Sequence, residues 1–259
     1  MNILDTIVER KREEVAGRKQ KKPLSGLGSM EFYRRAGNGI VVPAPEGRPG
    51  IIAEFKRMSP SRGPMHMDAD AVDVATAYEN AGVSAVSILT DQPFFGGTLS
   101  DLHQVRKACP QLVLLRKDFI IDPYQLHEAS AYGADMVLLI AAVLERAEVE
   151  DLALEAASLE LQVLFEVHAR DELTKYHPVI RYVGVNNRNL KSLDVDTGTS
   201  LELMADLPPG VVPVSESGLS RPEEVRRLWN AGYRLFLMGE RFMREEDPGA
   251  ACRNFMNQI

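Results

Sequence analysis

Six short apolar runs in this chain of 259 residues end in charged or amide side chains. Such groups are costly inside a strand unless they are paired or serve a site. Glu54, Lys56 and Ser59 follow one run, Arg116, Lys117 and Asp118 another, and Glu166 and His168 a third. Asn186, Asn187 and Arg188, then Ser215, Glu216, Ser217 and Gly218, and finally Gly239 and Glu240 close the remaining three. Successive strand residues face opposite ways, so Glu54 and Lys56 share a face while Ala53 and Phe55 point away from it. Lys117 with Phe119 and Glu166 with His168 are same-face pairs of the same kind. An ion-pair network that merely closes one end of the fold is the alternative for any single pair. Six runs contributing at one end favour a catalytic cluster. The five His are scattered without metal-ligand spacing and no GxGxxG turn occurs, so neither a metal nor another cofactor is expected. What remains is general acid–base chemistry. The turns Ser217-Gly218 and Gly239-Glu240 read either as ordinary turns or, taken together, as backbone N–H groups that approach a phosphate.

The elements that must position these groups are legible as alternating short and long segments. Strands are expected at 51–55, 85–89, 112–115, 136–140, 163–167, 182–185, 211–214 and 235–238, with helices such as 71–81, 124–132, 145–159 and 222–231 between them. Ala81-Gly82, Tyr132-Gly133 and Ala231-Gly232 read as helix ends, where Gly takes the left-handed conformation. Asp122-Pro123 and 220–223 read as helix starts. Apolar strands each followed by a helical segment indicate a parallel sheet buried on both faces. A doubly wound open sheet alternates in the same way; eight units and the missing GxGxxG turn favour a closed (β/α)8 TIM barrel of the α/β class. In that architecture catalytic groups come from the C-terminal strand ends, and the loops after strands seven and eight commonly hold phosphate.

The N-terminal part stands apart. Ile3, Leu4, Ile7 and Val8 form an apolar stripe at helical spacing, with charged residues between through Glu14. The basic run 18–22 reads as a solvated connector, Phe32 and Tyr33 suggest a second short helix, and 37–50 reads as a loop. Residues 1–48 are thus expected to form a helical extension and 49–259 the catalytic barrel, in one structural domain.

Hydrophobic residues at 45% and charged residues at 26% suit a globular protein with a large core. No apolar run reaches the roughly 20 residues that span a bilayer, and 1–22 lacks the apolar core of a secretory signal. A cytoplasmic location without membrane contact is expected, with Cys109 and Cys252 as free thiols. A net charge of -7 argues against nucleic acid as partner. An anionic metabolite then requires positive groups gathered locally. Monomer and homodimer are both compatible with the sequence.

Seven segments, in order, are similar to the successive motifs of the indole-3-glycerol-phosphate synthases: IIAEFKRMSPSRG (51–63), LTDQPFFGG (89–97), LLRKDFIIDPYQ (114–125), LFEVH (164–168), GVNNRNL (184–190), VSESG (214–218) and FLMGERFMR (236–244). Thr98 and Asn189 depart from the family's usual Ser and Asp; neither is assigned to chemistry. The resemblance implies conversion of 1-(o-carboxyphenylamino)-1-deoxyribulose 5-phosphate into indole-3-glycerol phosphate, with release of CO2 and water, in tryptophan biosynthesis. It implies a carboxy-lyase needing no cofactor, acting on a small phosphorylated substrate. By the same resemblance Lys117 is the general acid of ring closure, Glu166 the general base, and Phe119 a support for the aromatic part. Lys56 would act with Glu54 in acid–base work and substrate holding, and is a candidate for the acid of dehydration. Asn186 and Arg188 resemble a substrate-orienting pair, and Glu216 is catalytic in a lesser role or structural. Ser217, Gly218, Gly239 and Glu240 resemble a phosphate cradle, with the Glu240 side chain turned away and only its N–H used. Ser59 would join the anion contacts, His168 would support its neighbours, and the N-terminal helix would pack near the mouth of the site. A different phosphate-binding barrel, such as phosphoribosylanthranilate isomerase, would not be expected to carry the EFK, RKDF and NNR set. A barrel serving only as a binding subunit would be expected to have lost a Lys or Glu of that set.

Overall fold

The computed structural model describes residues 3–39, 47–189 and 194–259. Its strands are β1 (Gly50–Phe55), β2 (Ala85–Leu89), β3 (Leu114–Lys117), β4 (Met136–Ile140), β5 (Gln162–Val167), β6 (Tyr182–Asn186), β7 (Val212–Glu216) and β8 (Leu235–Met238). All neighbouring pairs are parallel and β8 closes on β1, with Ile51 opposite Phe236, so the barrel leaves no strand edge open. A two-stranded hairpin, Met58–Ser59 with Gly63–Pro64, folds over the end of β1.

Period-two alternation sorts each strand into two sets. Ala53, Phe55, Val86, Ile88, Val137 and Phe165 point outward into the layer shared with the helices. Ile52, Leu115, Leu138, Leu164, Tyr182, Val214 and Leu237 point inward and fill the barrel. Apolar side chains occupy the lower and middle interior, so the inward residues at the C-terminal ends form a separate, charged top layer. Every strand residue of the barrel except Lys117 and Gln162 is buried, which is why the strands read as continuous apolar runs.

The helices are α1 (Ile3–Lys21), α2 (Leu24–Gly28), α3 (Ala71–Ala81), α4 (Gln92–Phe95), α5 (Leu99–Ala108), α6 (Pro123–Ala131), α7 (Arg146–Ser158), α8 (Gly198–Leu203), α9 (Pro222–Ala231), α10 (Glu240–Met243) and α11 (Pro248–Met256). Local chemistry explains their ends. Asp70 accepts hydrogen bonds from the N–H groups of Val72 and Asp73 to start α3, and Gly82, at φ 85°, ends it. Asp122 caps α6 through Tyr124 N–H.

Several expectations are corrected. The basic run 18–22 is no solvated connector: α1 continues through Lys21, Arg18 pairs with Glu14 and Glu128, and Lys19 reaches Asp122 at 2.6 Å. The second helix is α2, which buries Leu27, while Phe32 and Tyr33 lie in the turn after it. Strand β3 starts two residues later than expected and runs through Arg116 and Lys117. Strands β6 and β7 likewise continue into Asn186 and Glu216. Within the expected helix start at 220–223, the cap of α9 is Arg221, whose partner is Glu224. Of the expected loop 37–50, residues 40–46 lie outside the described residues, as does Leu190 of the 184–190 segment.

Candidate active site

The centre of the top layer is Lys117. Its ammonium lies 3.1 Å from Glu166 Oε2, at the end of β5, and 3.1 Å from Glu216 Oε2, at the end of β7. Both carboxylates are buried. At the end of β1, Lys56 Nζ lies 2.7 Å from Glu54 Oε1, so the same-face expectation holds and the pair joins the same rim. Asn186 ends β6 inside the rim, and its Oδ1 accepts from Arg188 N–H at 3.0 Å. Asn187, one residue on, faces outward and donates to Ser215 Oγ and to the carbonyls of Glu216 and Ser217. It therefore fixes the end of β7 and the turn beyond it.

Two glycines make this packing sterically feasible. A Cβ at Gly184 would collide with Glu216 Oε1, and one at Gly239 would stand 2.8 Å from Glu54 Oε1. Gly239 thus makes room for a catalytic-rim carboxylate, besides its place beside the cavity.

Burial raises the cost of every charge here, and the neighbours decide which charges persist. Burial works against the Lys117 ammonium, but Glu166, Glu216 and Glu54 outweigh it and hold the proton well above the usual lysine range. Burial also opposes ionisation of Glu166, yet Lys117 and His168 keep its carboxyl well below the usual range. Glu216 goes the other way: burial, with Glu166 close by, outweighs Lys117 and pushes its carboxyl up to about 8. His168 lies 3.3 Å from Glu166 Oε1 and 3.5 Å from Glu172 Oε2. Against the burial of its ring, these partners push the imidazole up to about 9.

These shifts predict how stability depends on pH. His168, ordinarily near 6.5, keeps its proton in the folded state up to about 9. Its contribution is complete below 6.5 and is lost as pH rises to about 9. Glu216 adds a loss in the same direction between 4.5 and about 8. The melting temperature should therefore decline from pH 6.5 to 9, and His168→Gln should flatten that decline. Identical slopes in the two proteins, followed by scanning calorimetry, would remove His168 from this account.

The rim opens into a cavity of about 630 Å3. Leu89, Phe95, Phe119, Leu138 and Ile140 give it an apolar wall, to which Ile3, Leu4 and Ile7 of α1 contribute. The Phe95 and Phe119 rings stand 6.2 Å apart between centroids. Ser59, Arg188, Ser217, Gly218, Gly239 and Glu240 line the cavity as well. The thirteen residues given catalytic or substrate-binding roles from the sequence thus all line this cavity, while His168, expected only to support its neighbours, stands behind Glu166. Ser217 and Gly218 are successive left-handed residues, at φ 65° and 76°, and such a turn can aim consecutive N–H groups toward an anion. Six basic and six acidic side chains line the cavity, so locally it lacks the acidic excess of the whole chain.

The Glu240 side chain is held at the mouth. Its carboxylate accepts Arg62 at 3.1 Å and Arg244 at 2.9 Å, with Arg188 at 3.6 Å, all three cavity-lining. It gathers arginines at the mouth. Arg62, Arg244, Phe95 and Gly184 receive no role from sequence reasoning. Arg62 and Arg244 are visible there only as charges inside the 51–63 and 236–244 segments, and Phe95 only as an aromatic before two glycines.

The chain is similar to known proteins over nearly its whole length. The family described as indole-3-glycerol phosphate synthase matches residues 4–255. A protein of that name from Verminephrobacter eiseniae is 45% identical over 96% of this chain and 97% of its own length. Another from Bacteroides thetaiotaomicron is 43% identical over 100% and 99%. Among solved structures, a 3-hexulose-6-phosphate synthase superposes with a TM-score of 0.65 at 16% identity, over 81% of this chain and 99% of that one, a likeness of fold alone. With the family match spanning nearly the whole chain, and relatives above 40% identity over nearly their full length, the chain belongs to the indole-3-glycerol phosphate synthase family.

Proposed function

We propose that the chain converts 1-(o-carboxyphenylamino)-1-deoxyribulose 5-phosphate into indole-3-glycerol phosphate, acting as a carboxy-lyase of tryptophan biosynthesis in the cytoplasm. The observation that carries this reading is Lys117, an ammonium held between two buried carboxyl groups at the floor of a cavity with one apolar wall.

Ring closure needs a proton on the ketone oxygen as the aromatic carbon attacks. Lys117 keeps its proton throughout the neutral range, so it enters the reaction as the acid. Phe119 and the apolar wall hold the aromatic ring, and Arg188, set by Asn186, orients the substrate's carboxylate. Loss of CO2 follows, and then dehydration. Glu166 remains ionised and serves as base for proton removal, while Lys56, paired with Glu54, protonates the departing hydroxyl. Glu216, with its carboxyl raised to about 8, carries a proton 3.1 Å from Lys117 Nζ and can return one to the lysine. Ser217, Gly218, Gly239 and the N–H of Glu240 receive the phosphate, with Ser59 as a further anion contact. The arginines gathered by Glu240 add positive charge at the mouth.

A steady-state assay with the synthetic anilino-ribulose phosphate tests the reading directly: indole-3-glycerol phosphate should accumulate, and its absence would overturn the proposal. Because side chains supply every proton transfer, turnover should survive exhaustive EDTA treatment and dialysis. A loss of activity that a divalent ion restores would contradict that scheme.

A further inference from the structure

Lys11, on α1, is a lysine only 1% exposed. Long ammonium side chains are almost never so buried unless they are paired. Its Nζ lies 2.8 Å from Asp91 Oδ2, 2.8 Å from Asp118 Oδ1 and 2.8 Å from Glu14 Oε2. Asp91 and Asp118 stand just beyond the ends of β2 and β3, so one ammonium from the N-terminal helix joins two neighbouring strand ends.

Each aspartate in turn holds cavity-lining groups. Asp118 immediately follows Lys117; its Oδ1 accepts Phe119 N–H at 2.8 Å, and its Oδ2 accepts Thr90 Oγ1 at 2.7 Å and Arg116 at 2.9 Å. Thr90 N–H donates back to the Lys117 carbonyl at 3.1 Å. The backbone just after Lys117 is therefore fixed through the Asp118 carboxylate, which also holds the side chain of Arg116 just before it. Asp91 caps α4 through Phe94 N–H at 3.0 Å and so places Phe95 against Phe119.

We propose that Lys11 is a positioning residue for turnover: by clamping Asp118 to Asp91 it holds Lys117 and Phe119 at the angle that proton delivery requires. The proposal rests on the reading of Lys117 as the acid. It makes α1 part of the catalytic geometry, beyond the apolar cover that Ile3, Leu4 and Ile7 provide.

Misplacing a reacting group by about 1 Å costs on the order of a hundredfold in rate. Lys11→Met should accordingly lower kcat about tenfold to a hundredfold with KM little changed, measured well below the melting temperature. Lys19→Met removes another anchor of the same helix, the exposed pair with Asp122, and should keep kcat while loosening the helix. If Lys11→Met does not fold, Lys11→Met combined with Asp91→Asn removes one buried charge of each sign, and the asparagine amide oxygen can still cap α4. That pair should fold and still show the lowered kcat. Parental kcat in either folded variant would overturn the proposal, as would an equal kcat loss in Lys19→Met. Lys117→Met run alongside separates the two readings. If it turns over normally, the assignment of the acid falls; if it is inactive while Lys11→Met is normal, only the positioning role falls.

Discussion

Lys117→Met should lose about two to four orders of magnitude in kcat while KM changes little, the range general acids typically contribute. Methionine keeps an unbranched apolar stem one atom shorter than lysine and lacks the ammonium. Two consequences follow from the surroundings. The acid for ring closure is gone, and Lys56, the other lysine of the rim, is engaged with Glu54. In addition, Glu166 and Glu216 lose the cation they share. Breaking a buried ion pair by removing one partner costs about 3–5 kcal/mol when the other charge stays. Here Glu216, with its carboxyl raised to about 8, already holds a proton near neutral pH, so Glu166 is the charge left behind, and His168 at 3.3 Å still offsets part of it. The variant is therefore expected to fold with a lowered melting temperature and to bind substrate, yet to turn over barely. Steady-state kinetics beside a melting curve distinguish this outcome from general damage. Full activity in a folded Lys117→Met protein would remove the lysine from the mechanism.

This group is legible in the sequence for a geometric reason. A parallel barrel buries both faces of each strand, so its strands appear as uninterrupted apolar runs, and any charge adjoining such a run stands out. Strands 85–89, 136–140 and 235–238 are read to the residue for that reason. The same rule misplaces β3, because Arg116 and Lys117 do not look like strand residues. Arg116 is fully buried on the helix side and neutralised by Asp118 and Glu128. Lys117 is neutralised inside the barrel. The functional ends of β6 and β7 are cut short by the same logic, since Asn186 and Glu216 read as loop. Lys11 is hidden differently. On α1 it is one charge among many, and only the folded chain brings Asp91 and Asp118 to it. Gly184 is hidden because its role is the space it leaves for Glu216, which no local pattern expresses. The company that Glu240 keeps is hidden as well, since Arg62, far away in the chain, reaches its carboxylate only on folding.

Gly218→Asp should raise KM about a hundredfold or more, since like charges a few ångströms apart at an effective dielectric near 20 repel by roughly several kcal/mol. The turn has little tolerance for any side chain. Gly218 sits at φ 76°, directly after Ser217 at φ 65°, and a Cβ there would collide with Val195 Cγ1. Gly218→Ala therefore measures the crowding and backbone strain alone, and its KM should rise far less than that of the aspartate variant. The difference between the two isolates the charge. It should shrink as salt is added, because Gly218 is exposed and screening acts on exposed charges. Inorganic phosphate gives a second reading of the same contact. It should inhibit the parent enzyme competitively and lose most of its effect on Gly218→Asp, while kcat at saturating substrate stays closer to the parent value. Substrate must then be repelled at binding and not in the chemical steps around Lys117. If Gly218→Asp instead binds substrate and phosphate as the parent does, the phosphate lies elsewhere on the barrel's top. The mouth lined by Arg62, Arg188 and Arg244 would then be the place to seek it.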